Sequence, residues 1–160
     1  MVKSRIIFRG FHVIRNVLVG VDGSGDSDRA LDFALDLAEK FSAPVTILHV
    51  SESLEMSAVP QESAAYPSNT AVIAKDLRAI ENEVLTKSVE HAKTVKPDVQ
   101  VTAILKEGDP ATQIVDTAKD GGFDIIVVGN RGLSKMRERL LGSVSERVLH
   151  YAPCPIVVVK

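Results

Sequence analysis

Five short apolar runs, each separated from the next by a stretch of helical periodicity, constrain this chain of 160 residues more than any other feature. The runs are Asn16 to Val21, Pro44 to Val50, the alternating Val99, Val101, Ala103 and Leu105, then Phe123 to Val128, and Ile156 to Val159. Phe123-Asp124-Ile125-Ile126-Val127-Val128 is dense in β-branched residues, as a strand buried on both faces reads. Between the runs, apolar residues recur at helical spacing. From Ser27 they are Ala30, Leu31, Ala34, Leu37, Ala38 and Phe41; from Thr70 to about Val95 they are Ile73, Leu77, Ile80, Val84, Val89 and Ala92. Asp109 reads as a cap followed by proline at the first helical position, and the helix carrying Ile114, Val115 and Ala118 stops at Gly121-Gly122. A last helix is expected from Ser143, because Ser143-Val144-Ser145-Glu146 has the pattern of a capping box. Strands alternating with helices imply right-handed crossovers and a parallel sheet, an α/β fold.

Composition agrees with that class. Apolar residues make up 45% of the chain but aromatic ones only 4%, with no Trp, so the core is built from Val, Ile, Leu and Ala. Such residues suit a parallel sheet flanked by helices better than an aromatic-rich sandwich. The length fits one domain with a proper core and is short for two. A net charge of −2 gives no global basic field to attract nucleic acid or an anionic membrane. A single cysteine, Cys154, rules out an intramolecular disulfide and fits a reducing compartment. A secretory signal needs an uninterrupted apolar core of about 7–15 residues, and Arg9, Gly10, His12 and Arg15 interrupt the start of this chain. Residues 1–15 are therefore expected to be a short extension ahead of a domain over 16–160, and the protein is expected in the cytoplasm. Ser51 to Asn69, with Pro60 and Pro67, shows neither period and reads as a long loop of the kind that serves as a lid or is disordered.

The chemistry concentrates near the end. Gly129-Asn130-Arg131-Gly132 follows the fourth run; nine residues later Gly142-Ser143 opens the last helix. Glycine lets backbone N–H groups approach a ligand closely, and a helix N-terminus favours an anion. Ordinary punctuation accounts for any one of these residues alone. Their joint spacing, after a buried strand and before a helix, points to a phosphate site. Arg131 lies between the paired glycines and is placed to meet a phosphate. Lys135, Arg137 and Arg139, against the single Glu138, read as a solvated basic loop. Asp22, after the first run, either caps a turn or touches a ligand. Neither a Gly-x-Gly-x-x-Gly fingerprint nor a P-loop motif occurs. His12, His49, His91 and His150 are scattered without metal-ligand spacing, and no nucleophile–base–acid set stands out, so a dedicated hydrolase is not expected. Cys154, between Pro153 and Pro155, reads as packing at the entrance of the last strand.

The spacing Gly-x-x-Gly, nine residues, Gly-Ser resembles the nucleotide-binding signature of the universal stress protein family in its ATP-binding branch. Val19-Gly20-Val21-Asp22-Gly23-Ser24 with Ser27 and Ala30-Leu31, Gly108-Asp109-Pro110-Ala111, and Pro153-Cys154-Pro155 with the closing run extend the resemblance from about Asn16 to Lys160. It implies a single-domain five-stranded parallel sheet in the order 3-2-1-4-5 with helices on both faces, Rossmann-like and adenine nucleotide alpha hydrolase-like. It also implies ATP or AMP as ligand, with Mg2+ accompanying the triphosphate. The implied nucleotide-binding residues are Val21, Asp22, Ser24, Val50, Val128, Gly129, Arg131, Gly132, Gly142, Ser143, Val144 and Ser145. Val50 would offer its backbone to adenine, Asp22 and Ser24 would meet ribose or phosphates, and the glycine loop would hold phosphates. By the family's strand order Ile156, Val157, Val158 and Val159 form an edge strand, where unpaired backbone groups invite a second copy into a homodimer. Against a nucleotide-responsive module stand two rivals: a slow ATPase or phosphotransfer enzyme, and a nucleotide-free partner-binding protein.

Overall fold

The computed structural model describes residues 14–51, 67–133 and 141–160, with residues 67–78 described by their backbone alone. Elements follow in the order β1 (Val17–Val21), α1 (Gly25–Phe41), β2 (Val45–Ser51), α2 (Pro67–Val95), β3 (Val101–Glu107), α3 (Pro110–Asp120), β4 (Ile125–Gly129), α4 (Ser143–Tyr151) and β5 (Ile156–Val159). The strands pair in parallel in the order β3-β2-β1-β4-β5, the arrangement that the sequence resemblance implies.

Alternation along the strands sorts side chains between two cores. Val17, Val19, Val45, Ile47 and Val127 face α1 and α2, where Ala30, Leu31, Ala34, Leu35 and Ala92 meet them. Leu18, Leu48, Ile126 and Val128 face the other way, against Ala111, Ile114 and Ala118 of α3 and Val148 of α4. Both faces of the central strands are thereby covered, and each fully buried Val, Leu or Ile contributes about 1.5–3 kcal/mol relative to exposure. Among the described residues no helix is long and apolar enough to cross a membrane.

Two boundaries and one burial pattern differ from the sequence expectation. The expected loop over Ser51 to Asn69 is shorter at both ends, because Ser51 closes β2 and α2 begins at Pro67. Proline fits a first helical turn, whose N–H groups lack intrahelical partners in any case. Residues 52–66, the rest of that loop, lie outside the described residues, as do residues 1–13 of the expected extension. In β3 the expected alternation fails: Val101 packs on one core and Ile104 on the other, while Ala103 and Leu105 are exposed. An edge strand has cover only where another element packs on it, and along β3 the half-buried positions are Val101, Ile104 and Lys106.

β1 and β4 are neighbours whose ladder runs only from Val17 with Ile125 to Val19 with Val127. Beyond it their carboxyl ends separate. Chains leaving β1 turn to one face through α1, and chains leaving β4 turn to the other through α4. This is the switch point at which α/β sheets open a crevice.

Candidate functional site

Two loops meet over that crevice. Asp22 follows β1 directly: its Oδ1 accepts from the Ser24 amide at 3.0 Å and its Oδ2 from the Leu133 amide at 3.2 Å. Asp26, in the first turn of α1, accepts from the Arg131 amide at 3.1 Å. Ser24 caps α1 by accepting from the Ser27 amide at 3.2 Å, and its hydroxyl lies 3.5 Å from the Arg131 carbonyl. Asp22 therefore closes the turn after β1 and also clasps the glycine loop, so its capping role is realised in full. A carboxylate carries about four acceptor positions, which leaves capacity for a ligand hydroxyl.

The glycines of the motif have packing reasons within the chain. A Cβ on Gly129 would stand 2.8 Å from the Asp26 carbonyl carbon, because the start of α1 rests on the end of β4. One on Gly132 would collide with Asp22 Oδ2. One on Gly142 would sit 3.2 Å from the Asn130 carbonyl oxygen and 3.3 Å from Arg131 Cα. The spacing thus encodes how closely the β4–α4 connection lies against the β1 turn, which brings the two loops together over the crevice.

The expected capping box at Ser143 and Glu146 is not formed. Gly142 is the N-cap of α4, with no side-chain bond to the first turn, and Ser143 is the first helical residue. The Gly142 amide donates to the Asn130 carbonyl at 2.8 Å, which sets the start of the helix one residue early. The Ser145 hydroxyl, buried, lies 3.0 Å from the Asn130 carbonyl and 2.9 Å from that of Gly142. An α-helix leaves its first amides without intrahelical partners, and Gly142 at the N-cap has no side chain to accept from them. The macrodipole adds positive potential at the same point.

Asp22, Ser24, Arg131 and Gly132 thus come together, and Gly142 and Ser145 join them through Asn130. Val21 and Val128 are 5% and 4% exposed, with side chains in the two cores, so only their backbone can meet a ligand. Val144 is half-buried against the second core, while Ser143 is exposed. Val50 stays one strand away, on β2 opposite Lys106 of β3. Lys135, Arg137, Glu138 and Arg139 lie outside the described residues. An open cleft of about 320 Å³ adjoins the loop on its α1 flank, lined by Asp26, Arg29, Asn130, Arg131 and Lys160. It shares Arg131 with the expected set and does not reach Val50 or Gly142. The hydrogen-bond geometry, which unites the loops, defines the site better than this flank cleft does.

Sequence reasoning passed over Asp26 and Asn130. Asp26 had a visible signal, an acidic residue in the first turn of a helix that starts near the switch point. Asn130 is 7% exposed; its amide donates to the Val159 carbonyl at 2.6 Å, and its Oδ1 has no partner among the described residues. Its place inside Gly-x-x-Gly was the available clue. Cys154 is half-buried, and burial, with the nearby Asp124 charge second, raises its thiol pKa, in keeping with a packing role. Among the described residues no group of three or more His, Cys, Asp or Glu could hold a metal ion.

The pattern of the Universal stress protein family matches residues 14–160. This chain belongs to that family. It is 35% identical to the universal stress protein YxiE of Bacillus subtilis, over 92% of this chain and all of the relative. Among solved structures, the universal stress protein UspA from Lactobacillus plantarum superimposes with a TM-score of 0.77 at 25% identity, covering 92% of this chain and 98% of that one. A universal stress protein solved in complex with cAMP superimposes with a TM-score of 0.65 at 27% identity, covering 92% and 98%. The single-domain sheet in the order 3-2-1-4-5 is thus the fold of universal stress proteins.

Proposed function

We propose that this universal stress protein binds an adenine nucleotide, ATP or AMP, across the carboxyl ends of β1 and β4 and acts as a nucleotide-responsive regulatory module in the cytoplasm. The observation that carries this reading is the start of α4: a helix N-terminus whose N-cap, Gly142, has no side chain, placed against the glycine loop at the switch point of the sheet. Amides of Ser143, Val144 and Ser145, with Gly129, Arg131, Gly132 and Gly142 beside them, would receive phosphates. Asp22 and Ser24 would take ribose, the backbone at Val21 and Val128 would flank the nucleotide, and the backbone of Val50 would meet adenine. Mg2+ would arrive with the triphosphate, held by phosphate oxygens, since no carboxylate cluster stands among the described residues. The family member solved with cAMP supports adenine nucleotides as the ligand class.

Titration calorimetry with ATP and with AMP tests the reading. Wild type should bind, and Gly142→Val should lose the heat of binding while still unfolding cooperatively. Equal affinity in the variant would remove α4 from the site. We also propose a homodimer through β5. Its four residues are all half-buried, and among the described residues β5 pairs only with β4, with no strand on its outer edge. Light scattering at tens of micromolar should report a dimer, and Val158→Pro should weaken it by removing a backbone donor.

A further inference from the structure

The geometry points to His49 as a positioning residue for the ligand end of β1, an inference that rests on the nucleotide reading above. His49 stands on β2 in register with Val21, the last residue of β1, and is 5% exposed. Its Nδ1 lies 2.8 Å from the Val21 carbonyl oxygen. A carbonyl oxygen only accepts, so Nδ1 carries a proton and donates. The other ring nitrogen, Nε2, meets the carboxylate of Glu81 on α2. Both nitrogens of a buried ring thus face acceptors, which fixes the orientation of the ring.

What this bond holds is the part of β1 that the sheet does not hold on its ligand side. The ladder with β4 ends at Val19, so Val21, paired with β2 alone, lies past it. Asp22 follows at once, and its carboxylate takes the amides of Ser24 and Leu133. A line of contact therefore runs from Glu81 on α2 through the His49 ring to the Val21 carbonyl, and through Asp22 to the glycine loop. If the Val21 carbonyl lost its donor, a buried acceptor would lose a partner, and Asp22 would be less well placed for ligand and loop alike. His49 does not touch the ligand; it sets where Asp22 stands.

Three variants test this. His49→Leu removes both bonds at similar volume. His49→Asn restores a donor near the position of Nδ1. Glu81→Ala leaves the ring but removes its second partner and frees its orientation, and it serves if the Leu variant fails to fold. Two readouts are taken: ATP affinity by calorimetry, and hydrogen exchange of the Ser24 amide, which reports directly on Asp22 Oδ1. ATP affinity should fall about tenfold in His49→Leu, the size of one buried hydrogen bond, and by less in Glu81→Ala. The Ser24 amide should exchange faster in both, and His49→Asn should restore both readouts. Nitrogen chemical shifts of the wild-type ring should show Nδ1 protonated. Lowered thermal stability in His49→Leu with unchanged affinity and unchanged Ser24 exchange would overturn the proposal and leave His49 a core residue. A wild type that fails to bind ATP, with Ser24 still freed in His49→Leu, would sink the nucleotide reading while the positioning role stands.

Discussion

Helices α3 and α4 lie side by side on one face of the sheet, yet they begin in opposite ways. Asp109 caps α3, accepting from the Thr112 amide and from the Thr112 hydroxyl, each at 2.8 Å, and Pro110 follows where an N–H is dispensable. α4 begins on Gly142, with no side chain to cap it. One helix spends its N-terminal donors on its own chain. The other starts on a residue without a side-chain acceptor, at the switch point where β1 and β4 part. On the proposed function, the first kind of helix start serves stability and the second recognition, depending on whether the cap carries an acceptor.

The sharpest way to break the contrast is to give α4 the kind of cap that α3 has. In Gly142→Asp the backbone dihedrals of φ −71° and ψ 157° suit an ordinary residue, though the new Cβ presses on Asn130 and Arg131. A carboxylate there would accept from the first-turn amides and repel phosphate. Nucleotide affinity should fall about a hundredfold, the loss of one or two charge-assisted bonds, with cooperative unfolding retained. Unchanged affinity would show that the bare helix start has no part in recognition. The reverse operation is smaller. Asp109→Ala strips the cap from α3 and should cost about 1 kcal/mol, a fall in Tm of about 2–4 °C for a chain of this size. Nucleotide affinity should not change. A loss of affinity in that variant would mean that the two helix starts are coupled and the contrast is false.

The same pair of helices shows what the sequence discloses and what it withholds. Asp109-Pro110 was legible because cap and proline are adjacent and act locally. Strands with buried apolar runs and helices with a clear stripe were legible for the same reason, and the motif spacing carried the strand order through the family. Ser143 to Glu146 misled, because the S-x-x-E pattern is also satisfied when its Ser is the first helical residue. What decides is the Gly142 amide reaching Asn130, together with a Ser145 hydroxyl turned the same way. Asp26 bonding Arg131 and His49 meeting Glu81 join positions 105 and 32 residues apart, contacts that no local pattern encodes. Local chemistry is visible in a sequence; the docking of one loop on another is visible only once the sheet has brought them together.

The smallest expected effect concerns the link between the two helices. Arg147 of α4 reaches back to Asp109, with Nη1 at 2.6 Å from Oδ1. That bond, with the Thr112 amide second, holds the Asp109 carboxyl at about 2, below its ordinary 3.8. A carboxylate whose pKa is lowered on folding stabilises the fold at pH values above its unfolded pKa. That contribution is lost as pH falls from about 4 through about 2, because the proton then binds the unfolded chain more readily. The two side chains are 49% and 45% exposed, so solvent screening keeps the contribution of Asp109 below about 1 kcal/mol. Arg147→Ala should therefore narrow the gap in urea stability between wild type and variant as pH drops from 5 to 2, with most of the change below 4. Added salt should narrow the same gap at neutral pH, because the pair is open to solvent. A gap that stays constant over that pH range would show that Asp109 acts on its own helix alone, and α4 would then be free of α3 at its polar rim.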